Sequence, residues 1–142
     1  MHEQRDAYGR RRLTERERDA LLDQALVGIW STLSSRGTIH SVPVHYARAG
    51  SDIIILTEKA SKKCRNALRS CRATFCVETT VEGNDRRFVM LEGAVVAKNV
   101  GAPDLRLLAE RYKGWDTTVE DHGDGIILTL VPERLVGWSD AD

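Results

Sequence analysis

The segment Asp52-Ile53-Ile54-Ile55-Leu56-Thr57-Glu58-Lys59-Ala60-Ser61-Lys62-Lys63-Cys64-Arg65-Asn66-Ala67-Leu68 joins an apolar strand to the start of a basic helix. The strand is apolar at nearly every position, which is typical of a strand covered on both faces. Ser61 is a favourable N-cap, and the free N–H groups of a helix N-terminus attract anions. Lys62 and Lys63 would neutralise such an anion, although the helix dipole disfavours cations there. The segment predicts a phosphate site; a merely solvated basic helix is the alternative.

Length and charge limit the possible functions. A chain of 142 residues is about one domain, long enough to bury a single core. Its 21 lysines and arginines equal its 21 aspartates and glutamates, so no overall field attracts nucleic acid or an anionic membrane. Residues 59–72, by contrast, contain six basic residues and no acid. Any anion site is therefore expected to be local to this segment.

The cysteines and the hydropathy pattern bear on where the protein works. Cys64, Cys71 and Cys76 are odd in number and lack C-x-x-C spacing, which argues against a disulfide framework or a zinc knuckle. No apolar run approaches the roughly 18 residues of a membrane span, and the charged N-terminus does not resemble a signal peptide. We therefore expect a soluble cytoplasmic protein with reduced thiols.

The first patterned segment begins after a polar stretch. Residues 1–13 are rich in arginine and have no apolar periodicity, so we expect a mobile N-terminal arm outside the single domain at residues 14–142. Thr14 and Glu17 have the spacing of a capping box, and the apolar stripe that follows predicts a first helix over residues 14–26. Ordered structure is expected to begin at Thr14.

The rest of the chain alternates β-rich segments, turns and two further helical patterns. In chain order these are strands at 27–33, 39–46 and 52–57, a helix at 61–70, strands at 73–81 and 88–98 around a turn at 82–85, a helix at 103–112, and a strand at 125–131 that ends at Pro132. Gly93 interrupts a strand, which indicates a bulge or a close backbone approach. Because short turns join most strands, we predict a mainly β fold, a small barrel of about six mostly antiparallel strands with peripheral helices.

Common catalytic motifs are absent from the sequence, including G-x-S-x-G, H-E-x-x-H and a Walker loop. His40 and His45 are five residues apart on a predicted strand, so their side chains leave opposite faces and cannot chelate one metal. No metal site is predicted. Both histidines are interpreted as partly exposed strand residues, either of which can face a ligand.

Several short motifs follow one another in an informative order. They are Trp30-Ser31-Thr32, Gly37, His40-Ser41-Val42-Pro43-Val44, Thr57, Ser61 to Asn66, Glu92-Gly93, Glu110-Arg111-Tyr112, and a tail made of the closing strand Ile127 to Pro132 with Arg134, Val136 and Gly137. Their order and spacing resemble the pyridoxamine 5′-phosphate oxidase-like split barrels, the flavin/deazaflavin oxidoreductase superfamily. The resemblance covers roughly residues 14–138, and it implies a split β-barrel.

The resemblance also implies an assembly and a cofactor. In this family a homodimer holds two cofactors at its interface, and FMN or the deazaflavin coenzyme F420 is bound by its phosphate. By this resemblance Ser61, Lys62 and Lys63 would bind the phosphate, and Asn66 belongs to the same helix-start motif. The full set of implied cofactor-binding residues is Val42, Pro43, Val44, Leu56, Thr57, Ser61, Lys62, Lys63 and Asn66.

Two features bear on which family activity to expect. Oxidases that act on pyridoxamine phosphate carry an arginine and a lysine on the strand aligned with residues 42–47, where the corresponding positions here are not basic. Oxidation of vitamin B6 is therefore not expected. The tail of F420 is long and acidic, and Lys59, Arg65 and Arg69 would suit it, which favours F420 over FMN.

A flavin or deazaflavin supplies the redox chemistry itself, so no catalytic side chain is demanded and none is assigned. A proton donor, if one is needed, can be solvent, His45 or Tyr46. Trp115 follows a glycine and can cover a ligand of the partner subunit or pack at the dimer interface. Trp30 stands where the family usually has a smaller residue, and it either reshapes the pocket or is buried in the core.

The resulting prediction is an oxidoreductase that transfers a hydride between bound F420 or FMN and a small organic acceptor. The alternative is a split barrel that binds or sequesters a flavin or another ligand without turnover. A nucleic-acid surface on the basic helix is disfavoured, because the cations are not interleaved with aromatic residues and the net charge is zero. No nucleic-acid or membrane partner is expected.

Overall fold

A computed structural model describes residues 5–81 and 85–140 of the chain. Within these residues the strands and helices are β1 (Arg11–Arg12), α1 (Glu15–Gln24), β2 (Gly28–Leu33), β3 (Ile39–Val44), β4 (Ala47–Ala49), β5 (Asp52–Glu58), α2 (Lys62–Ser70), β6 (Arg72–Val81), β7 (Asp85–Lys98), α3 (Ala102–Arg111), a short 3₁₀ helix (Val119–His122) and β8 (Gly125–Ser139). In the part of the chain described here, no helix is long and apolar enough to span a membrane. The turn predicted at residues 82–85 falls mostly outside the described residues.

The strands form one antiparallel sheet in the order β3-β2-β6-β7-β8-β5-β4, and β1 is added to β8. Only His45 and Tyr46 separate β3 from β4, which are the two ends of this order. The two ends of the sheet therefore lie close together, and the sheet curls into a barrel. The predicted mainly β barrel with peripheral helices is confirmed, although short β4 was not anticipated.

The first helix and the first hairpin form where their patterns predict them. Thr14 caps α1: its Oγ1 accepts the Glu17 N–H at 3.2 Å, and the Glu17 carboxylate accepts the Thr14 N–H at 2.9 Å. The β2–β3 hairpin pairs Trp30 with Val42. Trp30 is fully buried in the core, which decides between its two predicted roles.

The last strand differs from its prediction. Instead of ending at Pro132, β8 continues to Ser139, because the pairing with β7 shifts by one residue between Glu92 and Gly93. Proline lacks the N–H that a regular ladder needs, and a bulge accommodates it. A Cβ on Gly93 would lie 2.0 Å from the Val131 carbonyl oxygen. The bulge predicted at Gly93 is therefore confirmed. It also allows β8 to continue pairing with β7 beyond Pro132.

The polar N-terminal segment is folded from Arg5, so the expectation that ordered structure begins at Thr14 is wrong. Its strand β1 pairs with the end of β8. Arg11 donates two hydrogen bonds of 2.8 Å to Glu17 on α1, and Arg87 on β7 lies 3.2 Å from the same carboxylate. The segment was predicted to be mobile because the acidic partner of Arg11, Glu17, lies on a different element, α1. These ion pairs hold the arm to the barrel.

This contact makes a prediction about acid stability. The hydrogen bonds from Arg11 lower the pKa of Glu17 to about 2, from about 4.5. Because the pKa is depressed in the folded state, the stabilisation is fully present above about pH 4.5 and is lost as the pH falls towards 2. We expect Glu17→Gln to lower the free energy of unfolding by about 2 kcal/mol at pH 7 and by clearly less at pH 3. Urea unfolding of both proteins at several pH values measures this, and a difference that does not change with pH would contradict it.

Helix α3 is tied to the end of α1 by side chains that bind free carbonyl groups. Arg111 donates to the carbonyl oxygens of Asp23, at 2.9 Å, and Ala25, and its guanidinium lies 4.5 Å from the centre of the Tyr46 ring. The Tyr46 hydroxyl donates to the Leu22 carbonyl oxygen at 2.6 Å. Since α1 has no basic residue in its last turn, these groups satisfy carbonyl oxygens that its C-terminus would otherwise leave free.

Candidate functional site

The N-terminus of α2 has the geometry that the sequence predicts. Ser61 Oγ accepts the Cys64 N–H at 3.2 Å, and the hydroxyls of Thr57 and Ser61 are 2.9 Å apart. Thr57 is buried at the end of β5, so the strand fixes the position of the cap. This pair of hydroxyls joins the end of β5 to the N-cap of α2, so it fixes where the first-turn N–H groups of α2 lie.

Two lysines and two backbone donors surround this helix end. Within the described residues, the N–H groups of Lys62 and Lys63 have no hydrogen-bond acceptor and neither ammonium forms an ion pair. The first turn of α2 contains no acid. The dipole, the free donors and the two cations together favour an anion at this position.

The end of β5 opens into a cavity of about 870 Å³, here called the strand-end cavity. Its walls are the β5 end, the loop after it and the segment around the 3₁₀ helix, and the lining residues are Leu56, Thr57, Glu58, Lys59, Ala60, Trp115, Glu120, Asp121, His122, Gly123, Asp124 and Gly125. Four of these residues are acidic. An anionic group is therefore disfavoured in this cavity. The N-terminus of α2 beside it, by contrast, favours an anion.

A second cavity, of about 500 Å³, lies between the β2–β3 turn and α2, and is called the basic cavity. Its lining residues are Ser34, Ser35, Arg36, Thr38, Lys62, Arg65, Asn66 and Arg69. Asn66, which was predicted to bind cofactor, is only 3% exposed, and its Nδ2 lies 3.3 Å from Thr32 Oγ1. The structure thus gives Asn66 a role in joining α2 to β2, and its contact with a cofactor stays a prediction.

The predicted ring-binding residues on β3 do not share one face. Val42 and Val44 point towards the core, whereas Pro43 is exposed on the outer face opposite Ile29. Because β3 is an end strand of the sheet, its outer edge pairs with no other strand in residues 5–81 and 85–140. A flat ligand can meet this edge or one face of the strand, but it cannot contact all three side chains equally. The role of these residues stays a prediction.

The two candidate proton donors have different surroundings. Tyr46 is fully buried, and burial raises its pKa to about 12. Its hydroxyl faces α1, so the interpretation of Tyr46 as a proton donor is wrong. His45 is exposed, and its ring centre lies 4.6 Å from Tyr112 and 5.8 Å from Trp115. Since Trp115 lines the strand-end cavity, His45 lies close to this cavity, and its role as a proton donor stays a prediction.

Some site residues could not be found from the sequence. Arg36 belongs to a hairpin turn far from α2 along the chain, and only the folded β2–β3 hairpin brings it to the basic cavity. The 3₁₀ segment at Val119–His122 gave no periodic signal, yet it forms a wall of the strand-end cavity. On α2, the spacing of Lys62, Arg65 and Arg69 was a usable signal, because such residues share one helix face.

A family model settles the relationship that the motifs indicated. The model described as pyridoxamine 5′-phosphate oxidase matches residues 14–126, which is more than half of the chain. This chain belongs to the pyridoxamine 5′-phosphate oxidase family. None of the curated proteins gives a significant match.

Solved structures share the fold of this family member. A conserved hypothetical protein of Mycobacterium tuberculosis is 22% identical, with coverage of 89% of this chain and 84% of that chain and a TM-score of 0.79. An F420 reductase is 21% identical, covering 82% and 94%, with a TM-score of 0.68. The heme storage protein of Vibrio cholerae is 11% identical, covering 87% and 94%, with a TM-score of 0.73. At these identities the likeness shows the split-barrel fold.

The groups at the α2 N-terminus of this pyridoxamine 5′-phosphate oxidase family member suit the phosphate of a flavin-type cofactor. Backbone N–H groups, lysine ammonium groups and a capped helix end are what an anion of this kind requires. A metal centre has no comparable support: within residues 5–81 and 85–140, no cluster of three or more histidine, cysteine, aspartate or glutamate side chains can hold an ion.

Proposed function

We propose that this protein binds a phosphorylated flavin or deazaflavin, F420 in preference to FMN, and transfers a hydride between it and a small organic acceptor. One observation carries the proposal: Lys62 and Lys63, without acidic partners among the described residues, stand beside free N–H groups at a helix end fixed by Thr57 and Ser61. Family membership and the F420 reductase among the similar folds support it.

In this mechanism the chain binds and orients the cofactor. Lys62, Lys63 and the first-turn N–H groups of α2 hold the phosphate, while Leu56 and Thr57 form the adjoining wall of the strand-end cavity. The cofactor, when bound, supplies the redox chemistry. Trp115 excludes water on one side of this cavity, and His45 beside it can hold a proton. The Tyr46 hydroxyl anchors α1.

The preference for F420 comes from charge next to the phosphate site. Arg65 and Arg69 of α2 line the basic cavity, and Lys59 lies in the loop before α2, although it also lines the more acidic strand-end cavity. FMN ends at its phosphate, whereas F420 continues into an acidic tail. Cations beyond the phosphate therefore stabilise bound F420 and do nothing for FMN.

A turnover assay separates an enzyme from a carrier. Reduced F420 and reduced FMN are each mixed anaerobically with the protein and an artificial acceptor, menadione or dichlorophenolindophenol, while cofactor absorbance is followed. We expect the protein to speed the return of the oxidised spectrum of F420 in a saturable manner. If the cofactor binds but reoxidises at the same rate with and without protein for both acceptors, the non-catalytic binding protein is the better description.

We further propose that a second copy of this chain covers an apolar area on the outer face of β2 and β3. Ile39 is 77% exposed and Leu33, directly opposite, is 50% exposed. On the same face, the hydrogen-bonded pair Ser31 and Ser41 separates these two residues from a second exposed apolar pair, Ile29 and Pro43. Clustered apolar side chains on an open face are typical of protein interfaces. This area adjoins α2, which agrees with a cofactor at the dimer interface.

The dimer proposal makes a direct prediction. Sedimentation of the native protein is expected to give a dimer at micromolar concentration, and Leu33→Asp with Ile39→Asp is expected to give a folded monomer, because buried unpaired charges oppose association. Val96→Asp is the control, since Val96 is 56% exposed on β7, away from these two strands. A monomeric native protein, or an equal effect of the control, would contradict the proposed interface.

We also propose that the protein is cytoplasmic, because its cysteines form no disulfide bonds. Cys64, Cys71 and Cys76 are all free, and Cys71 is exposed. A free exposed thiol is retained most readily in a reducing compartment. Fractionation of cells that express the full chain tests this location.

A further inference from the structure

Three aromatic side chains, here called the aromatic cluster, pack together beside the strand-end cavity. His45, Tyr112 and Trp115 each contact the other two. The ring centres are 4.6 Å apart for His45 and Tyr112, 5.4 Å for Tyr112 and Trp115, and 5.8 Å for His45 and Trp115. The His45 and Trp115 rings meet edge to face, at 79°, which is a favourable arrangement of aromatic rings. Because Trp115 lines the strand-end cavity, the cluster stands at the edge of this cavity.

The hydroxyl of Tyr112 binds the link that joins β3 to β4. It accepts the Tyr46 N–H at 2.9 Å, and it lies 2.8 Å from the Leu26 carbonyl oxygen and 3.0 Å from that of Tyr46. Since a phenol has one proton, it donates to one of these two carbonyl groups at a time. His45 and Tyr46 are the only residues between β3 and β4. The hydroxyl therefore fixes the backbone directly next to His45.

The end of α3 brings Tyr112 and Trp115 together. The Tyr112 N–H donates to the Leu108 carbonyl oxygen at 3.0 Å, and the Tyr112 carbonyl oxygen accepts the Trp115 N–H at 3.2 Å. Gly114, between them, has a φ of 81°, a left-handed conformation that glycine adopts without steric cost. The chain therefore turns back, and the Trp115 ring returns to the Tyr112 ring. Tyr112 thus supports both of the other members of the aromatic cluster.

His45 is the member of the aromatic cluster that is open to a ligand. Its side chain is exposed, and within residues 5–81 and 85–140 its ring nitrogens form no hydrogen bond or ion pair. The neighbouring Tyr46 is fully buried, and its hydroxyl is bound to the Leu22 carbonyl oxygen. A side chain that is already held in one place loses less entropy when it binds a ligand than a mobile one does. The support from Tyr112 therefore favours binding of a ligand group to the His45 imidazole.

We propose that Tyr112 is a positioning residue, whose hydroxyl fixes His45 against Trp115 at the edge of the strand-end cavity. An acceptor that extends past the edge of Trp115 then meets an imidazole of fixed position. Tyr112 itself does not line the cavity and acts through His45. This inference rests on the proposed function, because it takes the acceptor to bind beside Trp115.

NMR spectra of the histidine rings in the free protein test the positioning. Tyr112→Phe keeps the aromatic ring but removes the hydroxyl, so we expect the His45 ring signals, assigned with His45→Gln, to move towards those of a free histidine. Tyr8→Phe, at a tyrosine that is 85% exposed, is the control and should leave these signals unchanged. Unchanged His45 signals in Tyr112→Phe would overturn the proposal. If Tyr112→Phe does not fold, the native protein decides: nuclear Overhauser contacts of the His45 ring with the Tyr112 and Trp115 rings are expected, and their absence would contradict the proposal.

Turnover of F420 with menadione separates positioning from support of the fold. We expect His45→Gln and Tyr112→Phe each to lower kcat about tenfold, and the double variant to be little slower than either, because the hydroxyl acts through His45. The affinity for F420 should stay within about twofold, since the phosphate site at α2 is untouched. An unchanged kcat in His45→Gln, or single effects that multiply in the double variant, would overturn the proposal. If the native protein binds F420 without turnover, the proposed function fails, and the NMR spectra still decide whether Tyr112 positions His45.

Discussion

Gly93→Val is expected to destabilise the native fold by more than about 3 kcal/mol. The substituted Cβ would lie 2.0 Å from the Val131 carbonyl oxygen and 2.9 Å from the Glu133 nitrogen, both of which are backbone atoms. A clash with backbone cannot be relieved by rotating a side chain, so β7 and β8 must separate at the bulge. Since this pairing continues along most of β8, the barrel loses its longest strand contact.

Urea unfolding of Gly93→Val and Gly93→Ala measures this effect, with Gly123→Ala as the matched control. Gly123 has a right-handed conformation, with φ −57° and ψ −30°, and its nearest neighbour to a new Cβ is 3.7 Å away. The control should be neutral or stabilising by up to about 1 kcal/mol. Native-like stability of Gly93→Val would show that the bulge does not require glycine.

The second large effect concerns the phosphate site. Lys62→Ala with Lys63→Ala should weaken binding of F420 and of FMN by about 100-fold, equivalent to about 3 kcal/mol from two charge-assisted contacts. The free energy of unfolding should change little or rise slightly, because the substitutions remove two cations from the helix N-terminus, where the dipole disfavours them. Fluorescence titration measures the affinities, and unchanged binding would contradict the assignment of these lysines.

Ser61 offers a control that separates structure from binding. Ser61→Asp retains a good N-cap, so we expect its stability to remain within about 0.5 kcal/mol of the native protein. It also places a carboxylate where the phosphate is proposed to lie, which should abolish cofactor binding through like-charge repulsion. A stable Ser61→Asp variant that binds FMN normally would show that the phosphate lies elsewhere.

Local patterns predicted the elements that depend on local interactions. The capping residues Thr14 and Ser61 mark helix starts through bonds to residues three positions away, which a sequence pattern contains. The position of Gly93 inside a strand pattern also predicted the bulge correctly. By contrast, β1 pairs with the last part of β8, and β8 pairs in turn with β7. Arginine-rich or proline-containing sequence gives no sign of such distant partners.

The candidate site was predicted in part for the same reason. Thr57, Ser61, Lys62 and Lys63 are close in sequence, and their arrangement follows from one strand and one helix. Arg36 and Trp115 reach their cavities only through the hairpin and the connection after α3. Tyr46 was misinterpreted because a strand pattern does not show that its hydroxyl binds the end of α1.

Removal of the phosphate from the ligand tests the central claim most directly. FMN and riboflavin differ only by the phosphate, so this pair isolates its contribution, whereas F420 and its phosphate-free chromophore differ by the phosphate together with the acidic tail attached to it. Affinities for both pairs are measured with the native protein and with Lys62→Ala, Lys63→Ala. The native protein is predicted to prefer the phosphorylated ligand by about 100-fold, and the variant by less than about fivefold. Equal affinity of the native protein for both members of a pair, or an undiminished preference in the variant, would contradict a phosphate site at the start of α2.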